Sequence, residues 1–135
     1  MTMKLIKLIS VFVLFMPLTA ISKQATKYSN AYTKCVSSNV DNPMSTNCID
    51  TEISAQDKEI KEIVLKNKDI VSPENGEVVD LNSYAIKEQK AIDNRCELWL
   101  KAGGQNGVLL EKQCVLDEVI SLKIILSNFV SAVDG

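Results

Sequence analysis

Apolar residues recur along this chain in steps of three and four, the spacing that lines one face of an α-helix. In the first such stretch Ala25, Tyr28, Tyr32 and Cys35 share a side, which predicts a short helix over residues 24–37. Residues 38–43 are rich in turn formers and end it. Ser45 or Thr46 then caps a longer helix, whose stripe runs through Ile49, Ile53, Gln56, Ile60, Ile63, Asn67 and Ile70. Its other side carries Asp50, Glu52, Asp57, Lys58, Lys61, Glu62, Lys66 and Lys68, and reads as a solvated face.

The run Ser72-Pro73-Glu74-Asn75-Gly76 is a turn, because proline and glycine set backbone angles that helices do not use. A calcium loop there fails on spacing: the ligands are not at alternate positions and the glycine is misplaced. Asp80 is placed to cap a third helix, with Leu81, Tyr84, Ala85, Glu88, Ile92, Cys96 and Trp99 along one side and Gly103 as its stop. From about Val108 a last helix carries an apolar surface too wide for a single neighbour, including Leu116, Val119, Ile120, Leu122, Leu126 and Phe129. It is expected to be the central packing element of an all-α bundle of about four helices.

The cysteines bear on how that bundle is held. Cys35, Cys48, Cys96 and Cys114 allow three pairings. Pairing Cys35 with Cys48 and Cys96 with Cys114 is preferred, because each pair then brackets one short connection between helices. On the chain-entropy account loops of these sizes contribute roughly 3 kcal/mol each. That would reinforce a domain small enough for its core to be marginal. Metal binding is a poor alternative, with no histidine and no Cys-x-x-Cys in the chain.

Disulfides imply export, and the N-terminus agrees. Lys4 and Lys7 precede an apolar run, and Ala20 and Ser22 are the small residues of a cleavage site after residue 22. Residues 1–22 therefore read as a signal peptide and 23–135 as one domain, periplasmic or secreted, with no membrane span after cleavage, since the uncharged run from Leu8 to Ile21 is shorter than a spanning helix needs. Cleavage removes Lys4 and Lys7 and no acid, so the formal charge moves from −2 to −4. A mildly acidic chain without a basic block does not suit nucleic acid and suits a basic protein better.

Candidate chemistry is sparse. The absence of histidine removes the commonest general base, and neither a phosphate loop nor a nucleophile elbow is present. Asp117-Glu118 is an acid pair, but adjacent helical residues point to different faces. An enzyme and a cofactor are not expected. A binding or inhibitory protein is.

Met44-Ser45-Thr46-Asn47-Cys48, Asp57-Lys58-Glu59-Ile60, Gln89-Lys90-Ala91, Arg95-Cys96, Gly103-Gly104, and Cys114 with Leu126 twelve residues on, together resemble the lysozyme-inhibitor LprI-like family. Ile92 stands where members of that family typically carry tryptophan, which marks the chain as divergent. The resemblance implies a small exported helical protein that blocks the cleft of lysozyme sterically, steered to it by opposite charge. Under that reading the turn of residues 103–107 is either the inserted loop, with Gln105 and Asn106 offering amides to the enzyme's carboxylates, or a plain helix connection. Trp99 is expected in the core, with an interface anchor as the alternative. The second functional reading is an immunity protein that neutralises a toxin delivered by a competing bacterium.

Overall fold

A computed structural model describes residues 27–38 and 47–134. The leader of residues 1–22, the expected caps Ser45 and Thr46, and residues 39–43 of the expected turn lie outside them, while Ser38, expected to begin that turn, is the last residue of the first helix. Four α-helices follow in order: α1 (Asn30–Ser38), α2 (Asn47–Lys66), α3 (Leu81–Cys96) and α4 (Gly104–Asp134), with a 3-10 segment, Glu97–Ala102, between α3 and α4. The all-α expectation holds, and no helix of the described residues is long and apolar enough to cross a membrane.

The longest helix, α4, packs against α2, α3 and the 3-10 segment, the central role its wide apolar surface implies. One core cluster joins Ile60 and Val64 of α2, Leu81, Ala85, Ile92 and Cys96 of α3, and Val119, Leu122 and Leu126 of α4. A second joins Ile49 to Leu116 and Ile120, roofed by Tyr28 and Tyr32. Removing such side chains from water stabilises the fold by about 1.5–3 kcal/mol each.

Asp80 caps α3 as its position implies: its carboxylate accepts from the Ser83 N–H at 2.9 Å and the Ser83 hydroxyl at 2.7 Å. Between α2 and α3 the chain folds back on itself, with Val79 N–H bonded to Ile70 O and Ser72 N–H to Glu77 O.

Two features depart from the helical pattern. Glu52, expected on the solvated face of α2, is 2% exposed. The segment before α1 lies over it: the Ser29 N–H (2.8 Å) and hydroxyl (2.5 Å) both donate to its carboxylate, as does Gln56 Nε2 at 2.8 Å. Burial pushes this carboxyl up, but these donors outweigh burial and hold it below its ordinary value. The third helix, expected to run to Trp99 and stop at Gly103, ends at Cys96. Beyond it the chain tightens into the 3-10 turn, and Gly103 closes that turn instead.

Disulfides join Cys35 to Cys48 (Cα–Cα 5.7 Å) and Cys96 to Cys114 (5.6 Å). The first ties α1, which buries no residue of its own, to α2. The second ties the end of α3 to α4.

Candidate protein-binding surface

The corner between α3 and α4 is built from the backbone outward. Cys96, fully buried, fixes one end through its bond to Cys114. From there the 3-10 segment turns, and the Gly103 N–H closes on Leu100 O at 3.0 Å. Gly103 and Gly104 have φ of +78° and +59°, a region that side chains disfavour, and this pair swings the chain into α4.

Gly107, in the first turns of α4, then meets the segment closely. A β-carbon there would stand 3.0 Å from Trp99 O and 3.4 Å from Leu100 O. The 3-10 segment therefore rests on α4 through its main chain, and its side chains turn outward. None of its residues is buried; Leu98, Trp99 and Leu100 are 70%, 46% and 43% exposed. Trp99 is thus not a core residue, contrary to the prior expectation. Three consecutive exposed apolar residues thus stand on a cross-linked turn, flanked by Glu97 and Lys101.

Of the two readings of residues 103–107, the helix connection fits and the inserted loop does not, and the connection is shorter than expected. Gly104, Gln105, Asn106 and Gly107 belong to α4, whose N-terminal turns they form, so no free loop projects there. Gln105 and Asn106 are exposed on the flank of the corner. Sequence reasoning singled out Trp99 and missed Leu98 and Leu100. Their signal was legible: three apolar residues in a row fit no single helical stripe.

Elsewhere the surface carries shallow grooves. One of 240 Å³ is lined by Val79, Leu81, Tyr84, Ile125, Leu126 and Phe129. Another, of 310 Å³ between α2 and α3, includes Ile60, Val64, Leu65, Ala85 and Ile86. A third, of 230 Å³, is the most polar of these three; it holds Asp57, Gln89 and Asp93. Gln89 Nε2 donates to Asp57 at 3.0 Å, but burial is the larger influence and lifts the Asp57 carboxyl above its ordinary value. Asp117 is pulled the other way: burial opposes, but Lys27 (2.7 Å), Tyr28 (2.6 Å) and Gln113 (3.3 Å) donate to it and lower it. These polar groups bind elements of the fold to one another. Among the described residues no group of histidine, cysteine and acidic side chains is arranged to hold a metal ion.

Compared with known proteins, residues 42–135 match the family model of Antitoxin TsiV3. The chain belongs to the Antitoxin TsiV3 family. A curated TsiV3-family relative, the Antitoxin protein TsiV3 of Vibrio cholerae serotype O1, is 31% identical over 89 residues. That alignment takes in 65% of this chain and 66% of the relative, just under two thirds of its length. No solved structure matches.

Membership of the TsiV3 family overturns the resemblance to LprI-like lysozyme inhibitors, and lysozyme inhibition goes with it. The residues that carried that resemblance are explained by the fold: paired cysteines around helix connections and a double glycine at a sharp turn serve any small cross-linked helical domain. They report how such a chain is held, not what it binds. The TsiV3 match covers α2, α3, the corner and α4, and leaves α1 outside.

Proposed function

We propose that this chain is an immunity protein that binds a protein toxin delivered by a competing bacterium and neutralises it by covering its surface, with no chemistry of its own. Membership of an antitoxin family is the observation that carries this reading. The corner supports it, since a rigid apolar face loses little conformational freedom on docking.

On this reading Leu98, Trp99 and Leu100 meet the toxin at the centre of the contact, with Gly103, Gly104, Gln105 and Asn106 at its edge. The leader of residues 1–22 directs the chain out of the cytoplasm and is removed, and the protein works in the periplasm. Two disulfides support that placement, because such bonds persist in oxidising compartments.

The test is protection. Cells that receive in their periplasm the toxin encoded beside this gene are expected to survive when the chain is exported and to die when residues 1–22 are deleted. Calorimetry with the purified pair should show a tight complex. The absence of both protection and a complex would discard the proposal.

A further inference from the structure

Helices α2 and α3 each pack along α4 and touch one another only sparingly, so an open furrow runs between them. The 310 Å³ and 230 Å³ grooves are its two halves, and Gln89 belongs to both. From Ile53 to Leu65 the furrow follows α2 for about 18 Å, at the rise of an α-helix. Its walls are largely apolar, and each rim carries an exposed side chain: Leu65 on α2 is 70% exposed and Ile86 on α3 is 58% exposed. One end is acidic. Asp57 and Asp93 both line it there, neither forms an ion pair with a described residue, and Asp93 stands near enough to disfavour the Asp57 charge. Gln89 Nε2 donates to one oxygen of Asp57 at 3.0 Å and so fixes that carboxylate in the wall. Lys61, one turn along α2, lines the other half and offsets part of the acidic charge.

We propose that this furrow is a second contact with the toxin and takes one amphipathic helix of it, with apolar side chains laid between Leu65 and Ile86 and a lysine or arginine seated against Asp57 and Asp93. Docking of a helix in a groove reads its partner through anchors about one helical turn apart. Charge decides between occupants, because a base at the acidic end meets two carboxylates that lack a partner of their own. A second copy of this chain is the poorer fit. Its exposed apolar helix face, Ile124, Ile125 and Phe129 of α4, offers only Lys123, which is already bound to Glu59. That the helix belongs to the toxin rests on the immunity reading; the preference of the furrow for a basic amphipathic helix does not.

Two probes separate these claims. The first is a labelled synthetic helix of about four turns, with leucines along one side and arginines at one end, compared by fluorescence anisotropy with the same peptide carrying glutamates there. The arginine peptide is expected to bind at least about tenfold more tightly. Asp93→Lys, which sets a base of the chain's own beside Asp57, should erase that preference. Leu65→Glu, at an exposed position, should weaken the arginine peptide by a similar factor while far-UV helical signal and melting temperature hold. The second probe is the toxin encoded beside this gene, whose affinity should fall roughly tenfold with either substitution. An arginine peptide that fails to bind, or binds no better than the glutamate one, would overturn the furrow. So would a dimer in sedimentation that Leu65→Glu dissolves, since a second copy would then fill it. If the arginine peptide is selected but no toxin complex forms, the furrow stands and the immunity reading falls. If the toxin binds and ignores both substitutions, the immunity reading stands and the second contact falls.

Discussion

Gly107 lies against Trp99 so closely that a β-carbon on it would sit 3.0 Å from the Trp99 carbonyl oxygen. This contact puts the main chain of the 3-10 segment on α4 and leaves the indole outside. Gly107→Ala sets two effects against each other. Alanine favours helix over glycine by about 1 kcal/mol, while a methyl forced against a cross-linked backbone costs about 1–3 kcal/mol. The neighbour is main chain and gives little, so a net loss of about 1 kcal/mol is expected in urea unfolding. Trp99 quenching should change with it.

Exposure of Leu98 separates stability from binding. Leu98 is mostly exposed, so Leu98→Ala should alter unfolding free energy by less than about 0.5–1 kcal/mol, whereas Trp99, about half covered, should cost about 1–3 kcal/mol when cut to alanine. Affinity for the toxin should fall by about 2 kcal/mol or more for Trp99→Ala. Melting curves and calorimetry on the same preparations measure both. A destabilised variant with undiminished affinity would contradict the proposed contact.

Ser29 and Glu52 are expected to govern the acid limb of stability. Glu52 and Asp117 both titrate below their ordinary values in the folded chain, burial being outweighed by their hydrogen-bond donors. A lowered folded pKa stabilises above the unfolded pKa and loses that contribution as pH falls through the folded one. Unfolding free energy should therefore hold at neutral pH and decline below the usual carboxylate range, about pH 4. Ser29→Ala removes one bond to a charged group, at a cost of about 1.5–3 kcal/mol, and should make that decline shallower. Urea titrations from pH 7 to pH 2.5 report both.

Asp57 should behave in the opposite sense. Burial, the largest influence, raises its pKa; a raised pKa gives stability that is present below the unfolded value and lost as pH rises through the folded one. Asp57→Asn keeps an oxygen for Gln89 Nε2 and removes the charge. The variant should be more stable than the native chain at pH 7 and equal to it at pH 3, which the same titrations test.

Local chemistry carried much of the architecture. The stripe through Ile49, Gln56 and Ile60, the cap at Asp80 and the breadth of α4 were readable because each depends on residues a turn or less apart. Glu52 was misread because its charge suggested solvent: its position, three residues after Ile49 and four before Gln56, lies on the buried side of α2, and the donors that let a carboxylate sit there come partly from Ser29, twenty-three positions away.

The sequence by itself determined an all-helical chain, where its third helix starts, which helix sits at the centre, and that four cysteines were available for cross-links. Only the tertiary structure decided that Trp99 faces outward and that residues 104–107 are helix rather than loop. Periodicity reports one helix at a time, whereas the corner depends on two elements meeting at Gly107, and on which atoms, backbone or side chain, make that contact.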